Sequence, residues 1–188
     1  MKKTVSIFLA LLICLPLIAQ DFSGVKICIN PGHGGHDSDD RYIPLTGFWE
    51  SEGNLTKGLY LRDILESWGA EIVMTRVTNT TADDLPLSQI AEIANTNNVD
   101  FFQSIHSNAS TLQVNHPLML FRGYTDDPVY PLAKEMGSIM WNDLLEGHKW
   151  CVWNGQGENN IGDWSFYPQW GTQGLGVLRT LEMPGVLS

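Results

Sequence analysis

The chain has 188 residues, 43% of them hydrophobic and 17% charged, which is the balance of one globular domain and excludes a disordered segment. Its formal charge is −10, with 11 basic residues against 21 acidic ones. Such a chain repels phosphate backbones and anionic surfaces, which excludes nucleic acid as a partner and favours a neutral or mixed-charge ligand held by shape and hydrogen bonds.

Lys2 and Lys3 precede an apolar run from Ile7 to Ile18 that is broken only by Pro16, and polar text begins at Asp21. The run falls short of the ~20 residues that a membrane span needs. Residues 1–20 therefore read as a secretory signal peptide and residues 21–188 as the mature domain, exported to the periplasm or outside the cell, with no transmembrane segment left after signal removal. Loss of Lys2 and Lys3 leaves nine basic residues against 21 acidic, a charge of −12. Cys14 leaves with the signal, and the bulky Ile13 before it argues against a lipid anchor there. Cys28 and Cys151 remain, as a disulfide or as two separate thiols.

In the mature part, Val25 to Asn30 is apolar and β-branched and stops at Pro31-Gly32, which predicts a buried strand. Between Asn54 and Trp68 the residues Leu55, Leu59, Ile64, Leu65 and Trp68 recur near helical spacing, and Gly69 suits the position after the helix. Glu71 to Arg76 predicts a second strand, so the order strand, helix, strand points to a parallel crossover. A second helix is expected from Leu85-Pro86 to Asn95, a third strand from Val99 to His106 and a fourth from Pro117 to Phe121. Asp127 to Leu145 has a helical pattern with Pro128 and Pro131 near its start. Glu146 to Thr172 shows no period and reads as a long functional loop, and Gly176 to Ser188 returns to strand-like apolar text. The whole predicts one α/β domain, with a mostly parallel or mixed central sheet flanked by helices and a site at the C-terminal ends of the strands.

Three stretches near strand ends carry chemistry. Asn30-Pro31-Gly32-His33-Gly34-Gly35-His36-Asp37 is a glycine-rich turn that presents an imidazole. Gly47-Phe48-Trp49-Glu50-Ser51-Glu52 places carboxylates at a helix entrance, where Glu50 would also suit the macrodipole. Phe102 to Ala109 puts His106 at a strand end. Two histidines and one carboxylate, with positions left open for water, suit a catalytic zinc ion.

These residues resemble the zinc-dependent N-acetylmuramoyl-L-alanine amidases. The likeness rests on Ile27 to Asp37, on Glu50 with Asn54-Leu55, on Gly69 to Arg76 and on Ser104 to Ala109, in the family's order and intervals over almost all of the mature chain. It implies one Zn2+ held by His33, Glu50 and His106, with Glu52 as the alternative carboxylate. It also implies peptidoglycan or a muropeptide as substrate, cut at the amide between N-acetylmuramic acid and L-alanine. The family's catalytic glutamate is expected on the last strand, which here places it immediately after Ser188, so that the last strand and a closing helix read as incomplete. Glu182 is the nearest carboxylate before that point. Arg76 could meet a stem-peptide carboxylate or make a strand-end salt bridge.

Trp150, Trp153, Trp164, Tyr167 and Trp170 either pin the long loop to the core or wall a substrate groove, with Trp164 the candidate contact. His36 reads as a loop group near the site, His116 and His148 as surface histidines, and Asp37, Asp39 and Asp40 as solvated loop charge. A zinc peptidase of other specificity, or a zinc-containing wall-binding module without catalysis, would use the same triad.

Overall fold

The computed structural model describes residues 21–36, 41–107, 116–149 and 159–188. The expected signal peptide, Asp37, Asp39, Asp40, Trp150, Trp153 and Cys151 lie outside the described residues.

In chain order the elements are β1 (Lys26–Pro31), β2 (Tyr42–Ile43), β3 (Phe48–Trp49), α1 (Glu50–Ser67), β4 (Glu71–Met74), α2 (Leu87–Thr96), β5 (Phe101–Ile105) and β6 (Met119–Phe121). They continue with β7 (Gly123–Tyr124), β8 (Asp127–Pro128), α3 (Pro131–Gly147), β9 (Asn160–Gly162), α4 (Asp163–Phe166), α5 (Gly176–Arg179) and β10 (Gly185–Leu187). Six strands form one mixed sheet in the order β4-β1-β5-β10-β6-β9. All neighbours are parallel except β10 and β6.

The two-residue period of the strands sorts side chains between two layers. Ile27, Ile29 and Ile105 face Leu65 of α1, and Phe101, Phe121 and Val186 face Ala133 of α3. Cys28 and Phe102 point the other way, onto Ile90, Ala91 and Ala94 of α2 and Val177 and Leu178 of α5. β1 and β5 are buried on both faces, as parallel central strands are, and carry Asn30, Gln103 and Ser104 toward their C-terminal ends. Cys28 is a free thiol with no exposure, and burial pushes its pKa up to about 12.

Four boundaries differ from the sequence expectation. Helix α1 begins at Glu50, one turn before Asn54, because Trp49 is extended and the acidic Glu50 and Glu52 suit the first turn. Helix α3 begins at Pro131, since Asp127–Pro128 pairs with Gly123–Tyr124 in a small ladder. The second half of the expected long loop is structured as β9, α4 and the 3-10 turns of Pro168–Gln173. What holds this segment is buried polar side chains, which leave no hydrophobic period. Asn160 Nδ2 donates to the Lys134 carbonyl at 2.7 Å, and the Asp163 carboxylate accepts from the N–H groups of Gly123 at 2.9 Å and Leu175 at 2.7 Å. Finally, Gly176–Arg179 is helical and only Gly185–Leu187 is strand; Val177 and Leu178 of that helix, with Leu181 just after it, pack in one cluster with α2. A short apolar run does not by itself distinguish these two outcomes.

Phe102 has no exposed surface and joins β5 to both helices of its layer. Phe102→Ala should lower unfolding stability by about 3–5 kcal/mol. Urea denaturation followed by tryptophan fluorescence would measure it, and a loss below about 1 kcal/mol would show that the layer is not packed as described.

Candidate metal centre

Strand β1 pairs with β5 so that Pro31 lies opposite Ile105, and the Gly32 N–H continues the ladder to the Ile105 carbonyl at 2.9 Å. Gly32 therefore lies level with His106, and His33, one residue further on, comes beside it at the C-terminal edge of the sheet. Their rings meet edge to face at 4.7 Å between centroids. The approach is so close that a Cβ on Gly32 would overlap the His106 ring. His33 itself takes φ 64°, in the left-handed region. A Cβ on Gly34 would run into the backbone of Asp83 and Asp84. The glycines of this turn are thus demanded by contacts as much as by conformation.

Glu50, the first residue of α1, completes the group. Its Oε1 lies 3.2 Å from His106 Nδ1 and 3.5 Å from His33 Nε2, and it accepts the Ser107 N–H at 2.8 Å. The ligand atoms of His33, Glu50 and His106 all lie within 4.8 Å of one another. A tetrahedral ion with bonds of about 2.0–2.1 Å holds neighbouring ligand atoms about 3.3–3.4 Å apart. The separations of 3.2 and 3.5 Å match that edge, and two imidazoles with one carboxylate suit a zinc-like cation. Burial alone would raise the Glu50 pKa, but hydrogen bonding with His106, His33 and the Ser107 N–H, together with the field of His33, holds it well below the usual carboxylate range.

A layer of buried polar groups supports the three. Asn54, one turn after Glu50, donates from Nδ2 to Glu50 Oε1 and to the Gly32 carbonyl, both at 3.2 Å. Ser51 Oγ donates to the Gly35 carbonyl at 2.7 Å. Asn30 bridges strands, donating to Ser104 Oγ and accepting from Thr75 Oγ1, each at 2.8 Å.

The remaining candidates fall as follows. Glu52 is exposed and pairs with His36 Nε2 at 2.8 Å, outside the three-residue group, while His36 stacks on Trp49 at 4.5 Å. Glu182 is exposed and precedes β10, whereas His106 follows β5; the strands are parallel, so the two residues stand at opposite ends of the sheet. Arg76 makes neither a surface contact nor an ion pair among the described residues: it is buried and bonded to backbone carbonyls. Trp164 packs edge to face on Tyr124 at 5.2 Å, away from the cleft beside His106. That cleft is walled instead by Phe166 and Tyr167, with Lys57, His116 and His148 also facing it. Phe166 and Lys57 were not singled out from the sequence, since neither stands in a motif. The carbonyl of Ser188 accepts the His106 N–H at 2.7 Å, so the end of the described chain runs alongside the centre.

Two outcomes are expected in chelator-treated protein. The left-handed φ costs a residue with a Cβ about 1–2 kcal/mol, so His33→Gly should be more stable than His33→Ala by about that much in urea unfolding. Equal stabilities would mean that the turn relaxes. The folded pKa of Glu50 lies below its unfolded value of 4.5, so its contribution is complete above that pH and is lost as pH falls through the folded value. Acid unfolding should therefore be shallower in Glu50→Gln, and an unchanged pH profile would contradict the hydrogen-bonded carboxylate.

Comparison with known proteins places this chain in a family. Residues 27–187 match the family model described as N-acetylmuramoyl-L-alanine amidase. The N-acetylmuramoyl-L-alanine amidase CwlM of Bacillus licheniformis is 36% identical over 87 residues, which are 45% of this chain and 32% of CwlM. The match thus spans about a third of that relative's length. Among solved structures, the N-acetylmuramoyl-L-alanine amidase AmiC2 of Nostoc punctiforme is similar with a TM-score of 0.64 and 26% identity, over 88% of this chain and 78% of that one. Cwp6 from Clostridium difficile is similar with a TM-score of 0.67 and 28% identity, over 88% of this chain and 24% of that one. With the family match running from the first strand to the last, this chain belongs to the N-acetylmuramoyl-L-alanine amidase family.

Proposed function

We propose that this protein hydrolyses the amide between N-acetylmuramic acid and L-alanine in peptidoglycan, with one zinc ion held by His33, Glu50 and His106. The observation that carries the reading is the convergence of two imidazoles and one carboxylate at separations that fit a tetrahedral cation, in a chain of this family. A zinc ion there supplies Lewis acidity toward an amide carbonyl and an attacking water.

The chain's own residues provide the setting. Glu50 stays ionised across neutral pH, so the group keeps one negative charge opposite the cation. Ser107 N–H and Asn54 Nδ2 hold its Oε1 in place. The cleft leading to His106 has apolar walls with Lys57 and two histidines among its polar groups, which suits an acyl-amino sugar bearing a short peptide. The Ser188 carbonyl accepts the His106 N–H at 2.7 Å, so the end of β10 runs beside the site where a proton has to pass from water to the leaving amine. Residues 1–20 serve as the export signal that brings the domain to its substrate, in the periplasm or outside the cell. No described helix is long and apolar enough to cross a membrane.

The test is zinc content and muropeptide release from purified peptidoglycan, with full-length protein and with His106→Ala. One zinc per chain with stem-peptide release, both lost in the variant, is the expected result. Zinc without release from sacculi or soluble muropeptides would replace hydrolysis by a binding role or by a peptidase of other specificity. No zinc in the wild type would remove the metal centre itself.

A further inference from the structure

Arg76 follows β4 and is buried, 5% exposed, with no carboxylate in ion-pairing distance among the described residues. Burial lowers its pKa, and the more distant charges of Asp83 and Asp84 oppose that shift. A guanidinium has five N–H donors in a fixed plane, and here every one has an acceptor. Nε donates to the Pro31 carbonyl at 2.7 Å. Nη2 donates to the carbonyls of Gly32 at 3.2 Å and Ser51 at 2.7 Å. Nη1 donates to the Thr78 carbonyl at 2.8 Å and to Asn79 Oδ1 at 3.3 Å.

The identity of these acceptors is what matters. Pro31 and Gly32 lead directly into His33, and Ser51 follows Glu50. One rigid plane therefore joins the turn that carries an imidazole ligand to the helical turn that carries the carboxylate ligand. His33 holds a left-handed backbone that a residue with a Cβ adopts only where its surroundings enforce it. The Gly32 carbonyl just before it is bonded by both Arg76 and Asn54, and Asn54 also bonds Glu50. A lysine has three donors on a flexible stem and cannot span the same acceptors in one plane.

We propose that Arg76 is a positioning residue of the metal centre: its five-bond fork sets the separation of His33 and Glu50 and so tunes metal affinity. This rests on the reading of His33, Glu50 and His106 as zinc ligands. Groups that orient ligands without touching a metal typically change its affinity about 10–100-fold when removed.

The experiment measures zinc affinity by competition with a chromogenic chelator, together with the thermal midpoint of the zinc-free protein. Full-length wild type is compared with Arg76→Lys, Arg76→Ala and Leu178→Ala, the last cutting the core on the opposite face of the sheet. Both Arg76 variants should bind zinc at least about 10-fold more weakly. Leu178→Ala should lower the midpoint while leaving zinc affinity within twofold of wild type. Millimolar guanidinium should restore affinity to Arg76→Ala but not to Arg76→Lys, whose side chain fills the site. Zinc affinity within twofold of wild type in Arg76→Lys overturns the proposal and leaves the metal centre intact, whereas no zinc in the wild type overturns both. If neither Arg76 variant folds, the Arg76 Nε–H resonance of the wild type decides: a shift on zinc addition supports the fork, and an unmoved resonance overturns it.

Discussion

Everything at the centre depends on the register of two parallel strands. Pro31 lies opposite Ile105, so the chain leaves β1 and β5 at the same height and delivers His33 and His106 to one point. A slip of two residues keeps each side chain on its own face of the sheet but moves the histidines apart by about 6–7 Å, beyond any shared ligand. Apolar burial alone tolerates that slip, because both strands are buried on both faces. Polar contacts at each end remove the ambiguity. Near the start, the Lys26 N–H donates to Asp100 Oδ2 at 2.8 Å and the Asp100 N–H returns to the Lys26 carbonyl at 2.7 Å. Near the finish, Asn30 meets Ser104.

The second constraint is the concentration of buried polar groups at one edge of the sheet. Asn30, Ser51, Asn54, Arg76 and Ser104 are all buried, and all sit within one layer behind the candidate ligands. Burying such groups is costly unless their hydrogen bonds are made. Here the partners are largely the backbone carbonyls and the carboxylate of the centre itself, so the same bonds that offset desolvation also fix geometry. The core proper lies further down the strands and is apolar: Phe101 and Phe102 stand at the opposite end of β5 from His106. Stability and chemistry are thus divided along the strand direction, as in open α/β sheets generally.

The far wall of the cleft is built on a different principle. From Asn160 to Leu175 the chain runs through short elements only, and the buried Asn160 and Asp163 hold it to α3, to β7 and to its own return segment. Burial raises the Asp163 pKa, while the N–H groups of Leu175, Gly123 and Trp164 and the charge of Arg122 act against that rise. Anchored in this way, the segment presents Phe166 and Tyr167 to the cleft and packs Trp164 against Tyr124.

The sequence by itself determined the features that depend on neighbours in the chain. The strand Lys26–Pro31, the glycine turn around His33, the carboxylate at a helix entrance and the histidine at a strand end are local patterns, and the alternation of strands and helices carries the α/β class. Tertiary structure decided what depends on residues distant in sequence. Arg76 could be read as an ion-pair or substrate residue, because nothing near it in the chain reveals that three of its five acceptors are carbonyls 25 to 45 positions away. The start of the Gly176–Ser188 stretch could be read as strand, because the surface that Val177 and Leu178 pack on is supplied by α2, far off in the chain. Which of two carboxylates joins His33 and His106 was likewise settled in space: Glu50 and Glu52 differ by two helical positions, about 200° around the axis, so one faces the sheet edge and the other faces His36.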